Sequence, residues 1–126
     1  MDAFVEANQG DAALQPFTEG LADAKAKLQE GTMWLMQNGL MNPENAGAAS
    51  TDYMHLFGLT ALAYMWALIA KTAQAKIAGG DTDPFYANKL VVGRYYMQRV
   101  LPDAGAHLAK LTTGSELMMA LPAEAF

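Results

Sequence analysis

The stretch YMHLFGLTALAYMWALIA, residues 53–70, contains eighteen consecutive residues without Asp, Glu, Lys or Arg. Good helix formers (Ala, Leu and Met) fill it, and it is too long for an ordinary strand, so it predicts a helix. A membrane span needs roughly 20 apolar residues, and His55, Thr60 and the closing Lys71 argue against one here. We therefore expect the central helix of a bundle, buried on most sides.

Long helices are predicted on the N-terminal side of this stretch and through it. Apolar residues recur at helical spacing over residues 16–38, and Gly39 offers a C-terminal stop. Asn42 before a proline is a typical helix start, so a second helix is predicted over residues 43–77. A helix of that length is unusual, and a break near Gly47 is the alternative.

The C-terminal half carries the same kind of signals. A third helix is predicted to begin after the Asp83 cap and to kink at Pro102, because a proline there removes a backbone hydrogen bond. Ser115 is expected to cap a short last helix that contains residues 117–119. Together these elements predict an all-α fold, a helical bundle of three long helices plus a short C-terminal helix.

Length and composition predict one domain with unusual apolar surface. With 126 residues the chain has room for a single core. Residues 1–13 carry little pattern and are expected to form a loosely ordered lead, and residues 14–126 the single helical domain. Hydrophobic residues make up 52% of the chain and charged residues 17%, which predicts surface that binds a partner or a second copy.

Charge and cysteine usage exclude several classes of partner and chemistry. The net charge is -5, and no segment forms the basic face that neutralises phosphates, so neither nucleic acid nor an anionic membrane is an expected partner. The chain has no Cys, which excludes disulfides and thiolate chemistry. Its N-terminus has acids where a signal peptide has bases. A cytoplasmic location is predicted.

The sequence offers no residue for catalysis, cofactor binding or metal binding. His55 and His107 lack the Glu-x-x-His spacing of metal-binding bundles. We expect His55 in the core and His107 at a boundary. Ser50 and Ser115 are not in a Gly-x-Ser-x-Gly elbow. An independent enzyme therefore has no nucleophile, metal set or acid-base pair to support it.

Two further features concern packing and binding. Gly58 and Gly93 are expected where the central helices approach closely, because glycine destabilises a helix interior and close packing would compensate for that cost.

Bases and aromatic residues are interleaved after Pro84, a pattern that can form a nucleotide-binding face but that we interpret as a protein interface. The predicted interface residues are Tyr86, Lys89, Arg94, Tyr95, Tyr96 and Arg99.

An ordered set of residues gives the chain a family resemblance. The set comprises an opening helix over residues 21–32, then Tyr53, Leu56, Phe57, Gly58 and Trp66, then Phe85, Tyr86, Lys89, Arg94 and Tyr95, then Leu101 and Pro102, and finally Gly114 and Phe126. In order and spacing it resembles the C-terminal domain of the large bacterial acyl-CoA dehydrogenases, the subgroup that includes the 3-methylmercaptopropionyl-CoA dehydrogenases. The likeness covers nearly the whole chain.

This resemblance implies an all-helical domain appended to a flavin-binding core. The parent enzyme would oxidise an acyl-CoA to the enoyl-CoA, with FAD as the hydride acceptor. The catalytic carboxylate and the FAD-binding segments have no counterpart here, so the chain looks like an excised, non-catalytic domain. Its implied partners are the catalytic domains of the parent or another subunit. A freestanding helical interaction module is the alternative.

Overall fold

The computed structural model describes residues 1–125, and these residues contain helices and no strand. The all-α prediction is confirmed. The α-helices are α1 (Asp2–Asn8), α2 (Gln15–Asn38), α3 (Pro43–Ala78), α4 (Pro84–Tyr95) and α5 (Asp103–Leu111). A π-helical segment, Tyr96–Val100, joins α4 to α5, and a 3₁₀ turn follows at Ala123–Ala125. Phe126, part of the family resemblance, lies outside the described residues.

The predicted helix starts are confirmed by their caps. The side chain of Asn42 accepts a hydrogen bond from the Glu44 amide at 3.0 Å, and that of Asp83 accepts one from the Phe85 amide at 2.9 Å. Each cap is followed by a proline at the first helical position, where its missing N–H costs nothing. α3 continues through Gly47 without a break, so the alternative of an interrupted helix is wrong.

The predicted interruption at Pro102 takes the form of the π-helical segment. Proline has no N–H to continue the α-helical hydrogen-bond ladder. The Leu101 amide just before it donates to the Tyr96 carbonyl at 2.9 Å, five residues back, which adds one residue to the turn. α5 then begins at Asp103.

Two expectations about the chain ends differ from the structure. The predicted last helix is wrong: residues 116–119 form turns, and the side chains of Leu117 and Met118 are exposed, with no packing to stabilise a short helix. The lead contains α1, which buries Phe4 against Tyr64 and is tied to α2 by a Lys25–Asp2 ion pair. The hydrogen bond from Lys25 lowers the pKa of Asp2. The boundary after residue 13 stays a prediction.

Ser115 does not cap a helix and instead connects the segment after α5 to the start of α3. Its amide and its hydroxyl both donate to the Asn45 side-chain oxygen, at 2.9 and 2.8 Å, and Ser115 itself is 5% exposed. Asn45 lies in the first turns of α3, so this contact joins the start of α3 to the segment after α5. Gly114 has a positive φ of 72° and brings the chain close to Asn45.

α3 is the central helix, as predicted, but it is buried on one face only. It packs against α2, α4 and α5. The residues that it buries are mostly small and recur at intervals of three and four: Leu56, Thr60, Ala63, Ala67, Ala70 and Ala73. Phe17 and Leu21 of α2 fill the space opposite these residues. Length and composition would let α3 cross a membrane, a property it shares with core helices.

The two glycines expected at close helix contacts behave differently. A Cβ on Gly93 would lie 2.7 Å from a ring carbon of Phe17 and 3.3 Å from one of Trp66, so α4 does approach the core closely there. A Cβ on Gly58 would have no neighbouring atom within 4 Å. The prediction is therefore confirmed for Gly93 and wrong for Gly58, which lies on the unburied side of α3.

Candidate docking surface

The predicted interface residues on and after α4 divide into three groups. Tyr96 belongs to the core: it is 8% exposed, and its hydroxyl donates to the Leu59 carbonyl at 2.8 Å. Burial raises the pKa of Tyr96 to about 12, because the phenolate would lose hydration that the protein does not replace. Tyr96 therefore does not lie on the surface where we expected it.

Tyr86 and Lys89 line an open groove between α3 and α4. The groove has a volume of about 340 Å³, and most of its other lining residues are apolar. The Lys89 ammonium lies 5.1 Å from the ring centre of Phe85 and 6.0 Å from that of Trp66, which are cation–π distances. Lys89 is thus held against its own domain. Phe85 remains 54% exposed beside it.

Arg94, Tyr95 and Arg99 extend into solvent. Tyr95 is 61% exposed and lies with Val91 and Val92 on the outward side of α4, where both valines are about half exposed or more. Neither arginine forms a salt bridge with any residue of the described chain, 1–125. Of these side chains, the tyrosine ring and the guanidinium groups are of the types that are enriched in binding hot spots. We call Val91, Val92, Tyr95 and Arg99 the α4 face.

A second exposed surface was missed in the sequence because we expected α3 to be buried on most sides. It lies opposite the buried face of α3 and runs from Met54 to Thr72, and the charged residue in this range, Lys71, lies beside its apolar side chains and not among them. We call it the outer α3 face. Its large side chains are between 36% and 61% exposed, namely Met54, Phe57, Leu62, Met65, Leu68 and Ile69. At 100° per residue they span an arc of roughly 140°.

The two histidines meet across α3 and α5. His55 is exposed rather than in the core, and its ring stacks on that of His107 with centroids 4.9 Å apart. The His107 Nδ1 lies 2.7 Å from an Asp52 carboxylate oxygen, and the Lys110 ammonium is 3.9 Å from that same oxygen. The sequence contained part of the information needed to find this cluster, because Asp52 and His55 are three residues apart and therefore share one side of a helix.

The Asp52, His55 and His107 side chains form a row and do not surround a common point. Within residues 1–125 no group of three or more His, Asp or Glu side chains is arranged to hold a metal ion. The cluster is best understood as a polar link between α3 and α5, in which the carboxylate fixes the orientation of the His107 ring. The two exposed apolar surfaces of the described residues are the α4 face and the outer α3 face.

Two comparisons relate the chain to known proteins. Residues 1–122 match the sequence family described as "Acetyl-CoA dehydrogenase C-terminal like". The 3-methylmercaptopropionyl-CoA dehydrogenase of Ruegeria pomeroyi is 30% identical over 116 residues. The match covers 91% of this chain and 20% of that relative, so the chain spans about one fifth of the relative's length. The family resemblance found in the sequence is confirmed.

Proposed function

Because the chain belongs to the acetyl-CoA dehydrogenase C-terminal-like family, we propose that it is the non-catalytic helical domain of a cytoplasmic, FAD-dependent acyl-CoA dehydrogenase. In that enzyme it packs against the catalytic domains or a neighbouring subunit. The parent enzyme oxidises an acyl-CoA to the enoyl-CoA, and its other domains hold FAD and the catalytic base. This domain has a structural role, because its contacts help to hold the catalytic domains or subunits together.

The observation that carries this proposal is the exposure of the α4 face. Its apolar side chains lie on the outward side of α4 and its arginine lies in the π-helical segment that follows. A partner that covers this face would remove its apolar surface from water. The relative has about four fifths of its length outside the matched region. The chain matches one fifth of that dehydrogenase, and an exposed surface of this kind fits docking onto the remaining domains of such a protein.

The chemistry of the face indicates how docking works. Tyr95 supplies a rigid ring that buries much area for little loss of side-chain entropy. Arg99, at the end of the π-helical segment, can donate several hydrogen bonds to a carboxylate or to backbone carbonyls of the partner surface. Such anchors commonly contribute about 2 kcal/mol or more each to binding. The groove that Tyr86 and Lys89 line lies between α3 and α4, and there Lys89 is held against the aromatic rings of its own domain.

The first test is the reading frame that encodes the chain. Our proposal requires it to continue upstream into a flavoprotein core. A gene that encodes the helical domain with no such core would refute the proposal and leave the freestanding interaction module.

The second test is charge reversal at the α4 face in the longer polypeptide. Arg99→Glu should speed proteolytic release of the helical domain, because loss of one anchor weakens docking by about thirtyfold. Tyr95→Ala should act similarly. Lys76→Glu, an exposed charge reversal in the last turn of α3, is the matched control and should release nothing extra.

Thermal melting of the isolated domain separates docking from folding. Arg99→Glu should leave the melting temperature of the 126-residue chain close to the parent value, because Arg99 is exposed and forms no salt bridge within residues 1–125. Unchanged proteolysis of the longer polypeptide would place the docking surface elsewhere. Early melting of the isolated Arg99→Glu domain would show that this arginine stabilises the domain itself.

A further inference from the structure

The outer α3 face combines two features that are hard to reconcile with permanent contact with water. Over residues 54–70, about 24 Å of helix at 1.5 Å per residue, it carries no charged side chain. Its exposed residues are larger than the alanines that α3 turns toward its own core. A helix that directs its small residues inward and its large apolar residues outward has a second partner to bury them.

The spacing of this face is that of a helix-pairing seam. Met54, Gly58, Ala61, Met65, Leu68 and Thr72 follow one another at alternating intervals of four and three. That alternation is the pattern by which one helix inserts its side chains between those of another helix. Phe57, Leu62 and Ile69 flank the seam. The buried face of α3 shows the same alternation from Leu56 to Ala70, so this helix carries two seams on opposite sides.

We propose that the outer α3 face pairs with the same face of a second copy of this chain, with the two α3 helices antiparallel. This goes beyond the docking proposed above and uses a different surface. Two-fold pairing brings each seam residue against a different residue of the second copy. The layers are Met54 with Thr72, Gly58 with Leu68, and Ala61 with Met65, each occurring twice.

Size complementarity identifies a second copy as the partner. Every layer in this arrangement joins one large side chain, Met or Leu, to one small residue, Gly, Ala or Thr, so the volume is nearly constant along the seam. A parallel pair would set Gly58 against Gly58 and Met65 against Met65. The glycine layer would then leave a void, and the methionine layer would be overfilled. A shift of one heptad pairs Met54 with Met65 and leaves Gly58 against Ala61. Only the central antiparallel register matches large to small throughout.

The area is sufficient for a specific but reversible dimer. Six side chains that are 36–61% exposed, each with a full area of the order of 200 Å², offer roughly 600 Å² per copy. A symmetric pair would therefore bury about 1,200 Å², the lower end of specific interfaces. The absence of charge among the seam residues suits an identical apolar surface, because no layer buries an ion without a partner.

Sedimentation equilibrium of the 126-residue chain tests the pairing. We expect a concentration-dependent monomer–dimer equilibrium. Gly58→Leu should raise the dissociation constant at least about tenfold, because it places two large side chains in the Gly58–Leu68 layer. The folded monomer should not suffer, since a Cβ on Gly58 meets nothing within 4 Å. A chain that stays monomeric at all concentrations, or a Gly58→Leu variant that dimerises as well as the parent, would overturn the proposal.

A compensating substitution tests the register. Leu68→Ala alone should also weaken the dimer, because it leaves the same layer underfilled. The double variant Gly58→Leu, Leu68→Ala exchanges large and small within the layer and should recover most of the parent affinity. If the double variant is as weak as the two single effects combined, the antiparallel register is wrong.

Gly47→Leu is the matched control. Gly47 lies on the same side of the same helix, and a Cβ there also meets nothing within 4 Å. In the proposed register its position lies opposite the end of the partner's α3, beyond the last layer, so dimerisation should be unchanged. If Gly47→Leu weakens the dimer as much as Gly58→Leu, pairing does not follow these layers.

Discussion

Replacing Gly93 by alanine adds one methyl group where α4 packs tightly against the core. Its Cβ would lie 2.7 and 3.0 Å from two ring carbons of Phe17 and 3.3 Å from Trp66. Phe17 is fully buried, so its ring has no free space into which to move. Overpacking of this kind costs about 1–3 kcal/mol, and we place this contact at about 2–3 kcal/mol because a 2.7 Å approach requires a shift of the ring or of α4.

Alanine also removes the penalty for glycine inside a helix, a gain of about 1 kcal/mol. The net expectation for Gly93→Ala is a loss of about 1–2 kcal/mol in the free energy of unfolding, measured by urea denaturation of the 126-residue chain. For a domain of this size each kcal/mol corresponds to about 4 °C. Gly47→Ala is the control, and because nothing lies within 4 Å of its Cβ it should be neutral or stabilising.

A double-mutant cycle identifies the cause of the Gly93→Ala effect. Phe17→Leu removes the ring carbons that the new methyl group would meet. Phe17→Leu with Gly93→Ala should therefore be less destabilised than the sum of the single variants, by at least about 1 kcal/mol. Additive effects, or a Gly93→Ala variant as stable as the Gly47→Ala control, would show that the close approach does not determine the stability at this position.

Two further predictions concern buried polar groups. The raised pKa of Tyr96, about 12 against 10, means that its neutral form stabilises the fold fully below pH 10; about 2–3 kcal/mol should be lost as the pH rises from about 10 to 12. Tyr96→Phe should show a smaller alkaline loss in denaturation at successive pH values, whereas the exposed-ring control Tyr95→Phe should keep the parent's profile. Asn45→Ala should cost about 1–3 kcal/mol at neutral pH, because it leaves the buried amide and hydroxyl of Ser115 without an acceptor. Asn88→Ala, at an exposed site on α4, should be near neutral in the same urea titration, and equal effects would contradict the role given to Asn45.

Local signals predicted the helices well because they depend on neighbouring residues. The caps at Asn42 and Asp83 and the interruption at Pro102 each follow from the chemistry of one or two residues. The failure at residues 116–119 has the complementary cause. A short helix is stable only when tertiary packing supports it, and the exposure of Leu117 and Met118 shows that no such packing is present. A cap residue alone does not contain that information.

The polar contacts of the bundle could not be predicted because they join distant parts of the chain. Asp52 and His107 are 55 residues apart, and Asn45 and Ser115 are 70 apart. Each contact depends on how α5 and the segment after it cross α3, and a crossing is decided by the packing of whole helix faces. Tyr96 shows the same limit in reverse. Its neighbours Tyr95 and Arg99 are exposed, and the rotation of about 100° from Tyr95 to Tyr96 places the Tyr96 ring in the core.

The prediction that α3 is a helix was correct, and the prediction that it is buried on most sides was wrong. The error arose because an apolar sequence does not show which part of its surface the domain itself covers. Hydrophobicity shows that a face will be covered, but it does not identify what covers it. In α3 the size of the side chains carries the missing information. Ala63, Ala67 and Ala70 let α2 and α4 approach closely, whereas Met65 and Leu68 would hold those neighbouring helices apart if they pointed inward. Small residues therefore face the domain's own core, and the large residues on the opposite side remain for a partner that approaches from outside, as in the antiparallel pairing of α3.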